Sequence, residues 1–157
     1  MASEVLESFG GAGYVEDTGL PVLLRDSQVL PIWEGTTNVL ALDTLRALGT
    51  SESLAPLMSG VNKMFAPVQD THLKHCAQTA TAALNHAETW WRETQSLDRT
   101  LLEAGARRFA MTLGRALELA LLINQAQWSL DHEHDTRSTA SARRFAQAEV
   151  DLIVDHS

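Results

Sequence analysis

The sequence predicts an all-α protein: a helical hairpin segment followed by an antiparallel three-helix bundle. Three observations predict it. Alanine and leucine are abundant and favour helix, while runs rich in β-branched residues, which suit strands, are few. Apolar residues recur at spacings of three and four over long windows, the period of a helix with one buried face. Glycines and prolines stand where those windows stop, at Gly10-Gly11, Pro31 and Gly49.

Ser3–Phe9 reads as the end of a helix, with Val5, Leu6 and Phe9 on one side. A helix this short is marginal without neighbours, so the chain reads as one piece of a larger protein. Gly10-Gly11 stops it, since glycine readily takes the left-handed conformation of a helix C-terminus. In the loop that follows, GGAGYVEDTG, the three glycines Gly10, Gly11 and Gly13 let backbone approach another group closely. This is not a dinucleotide-binding loop, which follows a strand and opens a helix. Pro21 suits the first turn of a second helix, and Pro31 ends that helix by about Leu30. A third helix runs from about Thr36 to Leu48, with Val39, Leu42 and Leu45 every third residue. The hydroxyl of Thr36 or Thr37 can cap it.

Residues 50–60, TSESLAPLMSG, read as a linker holding a short helical turn. The expected domains are therefore 1–49 and 61–157. In the second, a helix from about Pro67 to Gln95 carries Val68, Leu73, Cys76, Ala80, Ala83, Leu84, Ala87 and Trp91 as a stripe. The next, about Thr100 to Leu130, carries Leu102, Ala106, Phe109, Leu113, Ala116, Ala120 and Ile123. The polar stretch SLDHEHDTRST breaks the pattern, and a last helix is expected over about Thr139–Val154.

Composition excludes several functions. A net charge of −8 argues against broad nucleic-acid binding, which needs a basic face. One cysteine, Cys76, forbids an internal disulfide framework and fits a reducing compartment, which points to the cytoplasm. The most apolar segment, Ala116–Ile123, contains Glu118 and is far shorter than a membrane span.

The stretch that most resembles a site is Pro31–Arg46, PIWEGTTNVLALDTLR. It sets a carboxylate, Glu34, and small hydrogen-bonding groups at the mouth of a helix. A helix N-terminus offers free N–H donors and a partial positive charge, a place for phosphate and equally for an ordinary glutamate. Other clusters carry less. Asp131-His132-Glu133-His134-Asp135 is rich in ligand types, but consecutive loop residues rarely converge on one ion, so no metal site is expected. His72, His75 and Cys76 could share a helix face, most simply as a packed cysteine with two surface histidines. Arg107, Arg108, Arg115, Arg143 and Arg144 could form a basic strip. Yet Arg99–Ser157 holds seven Arg against eight Asp and Glu, a net of −1, which argues against DNA. Ser129, Asp131 and His132 are close in sequence only.

The paired motifs FGGAGY and RDSQVLPIWEGTTNV, at this separation, resemble the C-terminal helical domain of the acyl-CoA dehydrogenases. The similarity is strongest to the AidB-like branch, which carries an extra C-terminal helical domain. It covers about Val5–Leu48 closely, and ARRFAMTLGRALELALL more loosely resembles that extra domain. The family binds FAD and removes two hydrogens across the α–β bond of an acyl-CoA thioester. The resemblance implies that Glu34 is the α-proton base and that Trp33 and Gly35 lie beside the substrate. It also implies that Thr36 and Asn38 touch FAD, and that Glu7, Gly10 and Gly11 reach the FAD of a neighbouring subunit. It further implies an acyl-CoA substrate and a homo-oligomer, and leaves the electron acceptor open, an electron-transfer flavoprotein being one option. Removing a weakly acidic α-proton needs a positioned carboxylate in a dry pocket. Nothing in this sequence forms the family's β-domain, and Glu7 stands where many members have glutamine. The isolated chain is therefore expected to bind FAD weakly or not at all, and to be inactive alone. The alternative is a non-catalytic AidB-like helical module that binds DNA or a protein partner.

Overall fold

The computed structural model describes residues 2–49, 54–95 and 99–154. Seven α-helices and no strand occur among them. The chain divides into two compact units, Met1–Leu40 and Ala41–Ser157, and the division falls inside the third helix.

The first unit is a hairpin of two short helices, α1 (Ala2–Glu7) and α2 (Leu20–Val29). Two 3₁₀ turns, Gly10–Gly13 and Glu16–Thr18, join them. Helix α1 ends before the glycines expected to stop it: Ser8 and Phe9 N–H groups bond back to Glu4, Val5 and Leu6 carbonyls. Gly10, at φ +55°, then opens the first 3₁₀ turn. The close backbone approach falls on Gly13, where a Cβ would lie 2.3 Å from the Leu6 carbonyl oxygen. The Thr18 hydroxyl donates to Ala12 O at 2.7 Å and accepts from the Leu20 N–H at 3.3 Å. Arg25 on α2 grips Glu16 through two parallel hydrogen bonds of 2.9 and 3.0 Å. The Arg25 guanidinium holds the Glu16 carboxyl below the usual carboxylate range.

The second unit holds the end of α3 (Thr37–Leu48), then α4 (Ala55–Phe65), α5 (Thr71–Thr94), α6 (Arg99–His132) and α7 (Arg137–Gln147). Helices α5 and α6 form the main pair, α7 packs against both, and α4 lies against α6. Their facing stripes are those the spacing predicts: Leu73, Cys76, Ala80, Ala83, Leu84 and Ala87 on α5, and Ala106, Phe109, Leu113, Ala116, Ala120 and Ile123 on α6 are buried. Alanine at alternate turns lets the two backbones come close. The Phe109 ring lies between Trp90 and Trp91, with centroid separations of 5.0 and 5.6 Å. Gly105 makes room for Trp90, because a Cβ there would lie 2.2 Å from its Cζ2.

Three local features differ from the sequence reading. The stretch 50–60 becomes helical from Ala55, as the first half of α4, with Pro56 in its first turn where a missing N–H costs nothing. Helix α5 starts at Thr71 rather than near Pro67, because the Asp70 carboxylate caps it by accepting from the His72 and Leu73 N–H groups. The last helix ends at Gln147 instead of near Val154, the backbone turns extended at Ala148, and residues 148–154 form a strap outside helix and strand. Tertiary anchors outweigh helical propensity there. Val150 is buried, the Leu152 N–H donates to Thr112 Oγ1 at 2.9 Å, and His86 Nδ1 lies 2.6 Å from Asp151 Oδ2.

Candidate functional site

The candidate site is built by the turn between α2 and α3. Ile32 and Trp33 N–H groups both donate to Val29 O, at 2.9 and 3.0 Å, which closes the end of α2 over Pro31. The Gly35 N–H donates to Ile32 O at 3.2 Å, folding a second turn around Glu34. Gly35 has φ +129°, a conformation open to glycine and strained for other residues. Its Cα side faces Leu40 and Val39, so the turn is pinned onto the first turn of α3. The Thr36 carbonyl accepts from the Leu40 N–H at 3.0 Å, so Thr36 is the flanking residue just ahead of α3 that takes the first helical hydrogen bond.

This geometry presents Glu34, Thr36 and Asn38 at the surface, with Gly35 half-buried. The flanking apolar residues are exposed as well: Leu30 at 70%, Ile32 at 62% and Trp33 at 69%. Glu7, Gly10 and Gly11 are exposed. In the first unit only Gly13 and Pro21 are buried among the described residues, so this unit encloses no core of its own. A carboxylate, a helix N-terminus with hydroxyl and amide neighbours, and an open apolar rim can bind and deprotonate a ligand once another surface closes over them. The chain by itself leaves Glu34 in water.

The other clusters resolve as follows. Cys76 is 2% exposed, and burial pushes its thiol pKa up, while His72 and His75 lie at the surface. No group of three or more metal-ligating side chains comes together among the described residues. Asp131 and His132 belong to the last turn of α6, and in the loop beyond it His134 takes φ +55° and Asp135 pairs with Arg137 at 2.6 Å. Ser129 is buried and bonds Gln125 and Ser138, away from any catalytic arrangement. The arginines do not form one strip: Arg115 stacks over Phe145 at 5.0 Å, and Arg107 and Arg108 line a groove that Glu149 and Asp151 share. No described helix is long and apolar enough to cross a membrane. Sequence reasoning missed the Gln127 bridge, whose Oε1 accepts from the Gln69 and Asp70 N–H groups at 2.9 and 3.3 Å. A glutamine on the apolar stripe of α6 was its only signal.

Residues 1–49 match the family described as acyl-CoA dehydrogenase, C-terminal domain. Residues 52–157 match the family described as acyl-CoA dehydrogenase 11 C-terminal domain-like. The chain belongs to the acyl-CoA dehydrogenase family. It is 41% identical over 132 residues to acyl-CoA dehydrogenase family member 11 of Caenorhabditis elegans, covering 80% of this chain and 21% of that protein. It is 42% identical over 59 residues to AidB of Escherichia coli, covering 38% of this chain and 11% of AidB. The crystal structure of C. elegans ACDH-11 in complex with C11-CoA matches 99% of this chain at 36% identity, with a TM-score of 0.81, over 27% of its own length. The chain therefore spans about a fifth to a quarter of these C. elegans acyl-CoA dehydrogenases, and its all-α fold is that of the family's C-terminal domain. Members of this family are in general FAD-dependent dehydrogenases.

Proposed function

We propose that the chain is the C-terminal part of a flavin-dependent acyl-CoA dehydrogenase in which Glu34 takes the α-proton of an acyl-CoA thioester. The observation that carries this reading is the placement of Glu34. The Gly35 turn holds its carboxylate just ahead of α3, on a face rimmed by exposed Leu30, Ile32 and Trp33. An apolar rim of this kind becomes favourable when another surface covers it, and covering it also removes water from the carboxylate. A desolvated carboxylate is a stronger base toward a carbon acid. That ACDH-11 was crystallised with C11-CoA supports an acyl-CoA as the substrate class.

The residues fit part of an FAD site. Thr36 and Asn38 bring hydroxyl and amide groups to the open N-terminus of the twelve-residue α3, a setting suited to a pyrophosphate. Gly10 and Gly11 expose backbone with no side chain in the way, whereas Glu7 adds a negative charge that a flavin phosphate would need compensated. When bound, FAD supplies the acceptor for the substrate's β-hydrogen. Trp33 and Gly35 border the thioester, and Glu34 holds the α-proton on a carboxylate oxygen. On this reading the working enzyme is a cytoplasmic homo-oligomer, and the exposed face of the first unit is covered by the rest of that assembly.

The test is reconstitution with an upstream flavin-binding polypeptide of this family. The expected result is a yellow complex that oxidises acyl-CoA, with Glu34→Gln keeping the colour and losing at least about a hundredfold in turnover. Full turnover in Glu34→Gln would overturn the assignment.

A further inference from the structure

The cleft between α5 and α7, about 400 Å³ in volume, lies in the second unit and does not involve Glu34. Thr71, His72, His75 and Thr79 line it from α5, Arg143 lines it from α7, and Cys76 forms part of its floor. We propose that this cleft is a binding site for a small phosphate-bearing anion.

Charge is the first argument. The chain has 20 Asp and Glu against 12 Lys and Arg, yet among the described residues no carboxylate lines this cleft. Asp70, one residue before its edge, is engaged in capping α5 through the His72 and Leu73 N–H groups. Cys76 adds no negative charge, because burial keeps its thiol protonated.

Pairing is the second argument. Arg25, Arg46, Arg92, Arg99 and Arg137 each hold a carboxylate, as expected for cations in an acidic protein. Arg107, Arg108, Arg115, Arg143 and Arg144 make no ion pair among the described residues, and of these five Arg143 is the one that lines this cleft. A cation in the last turn of α7 is favoured by the helix dipole, but Arg144 meets that need and does not line the cleft.

Donor chemistry is the third. Thr71, His75 and Thr79 follow one another at intervals of four on α5, which places two hydroxyls and an imidazole along one wall. His72 adds a second imidazole, and the guanidinium of Arg143 faces them with a planar fork that matches two phosphate oxygens. The Thr79 hydroxyl and the His75 ring make only long local bonds, of 3.4 Å each, to His75 O and Gln78 Oε1. Both donors can turn to a ligand at small cost.

Inorganic pyrophosphate is the probe. Titrated into the 157-residue chain at low salt and followed by amide NMR, it is expected to shift the Thr71, His72, His75 and Arg143 signals saturably. Arg143→Gln and the double variant His72→Gln/His75→Gln should each weaken the apparent affinity at least about fivefold. Arg144→Gln, with the same loss of charge outside the cleft, should leave it within about twofold. Absence of a saturable shift, an equal loss in Arg144→Gln, or equal shifts at Arg107 and Arg108 would each overturn the proposal.

Discussion

Gly105 shows how one missing methyl sets the spacing of the two main helices. A Cβ at this position would lie 2.2 Å from Cζ2 of the Trp90 ring, which also stacks on Phe109. Trp90 is 5% exposed. Gly105→Ala is therefore expected to destabilise the second unit by about 1–3 kcal/mol despite its better helix propensity, read as a lower urea midpoint. Residue-scale electrostatics is testable at Glu16. Its folded-state pKa lies below the ordinary value because Arg25 hydrogen-bonds its carboxylate. A depressed pKa means that the pair stabilises the loop above the unfolded-state pKa, and that this is lost as pH falls through the folded value. Carbon-detected titration of Glu16 should show a midpoint below that of a free glutamate, and Arg25→Gln should move it up. Neither contact was legible in the sequence, since each joins residues whose proximity only the fold creates.

Among the elements, α5 and α6 were readable because their stripes are long and regular. The ends were not. Asp70 went unrecognised as a cap because Pro67 offered a competing helix start four positions earlier. The last helix was extended too far because Glu149–Val154 has the right periodicity, and nothing local says that Val150 and Leu152 are held by other helices. That strap depends on the Thr112 hydroxyl, which accepts the Leu152 N–H from within a fully buried position on α6. Thr112→Val removes the acceptor while keeping the shape, leaving a part-buried N–H unsatisfied at a cost of about 1–3 kcal/mol. Amide exchange at Leu152 and Ile153 should accelerate, with protection along α5 and the middle of α6 unchanged. Uniform acceleration across the bundle would show instead that the strap opens only with global unfolding.

At the scale of the whole molecule, the two units differ in how they bury themselves. The second owns the apolar core from α3's end to α7, while the first, among its described residues, buries only Gly13 and Pro21 and exposes Phe9, Tyr14, Leu23 and Trp33. Forty residues without an interior are marginal on their own. Hydrogen-exchange mass spectrometry should find residues 2–35 exchanging at least about tenfold faster than the α5–α6 pair, and recovering protection when a partner polypeptide covers them. The motif pair FGGAGY and PIWEGTTN made this unit recognisable by family, but its openness was not legible. Apolar residues that meet a partner have the same spacing as those that meet a core.

The placement of the four tryptophans has an optical consequence. Trp90 and Trp91 are walled in around Phe109, while Trp33 and Trp128 face water on different units. Aqueous iodide can reach only the exposed pair, and Trp128→Phe reduces that pair to Trp33, the indole beside the candidate base. The red-edge emission of that variant then becomes a private signal from Glu34's surroundings, blue-shifting when the face is covered and darkening when an isoalloxazine ring comes within energy-transfer range.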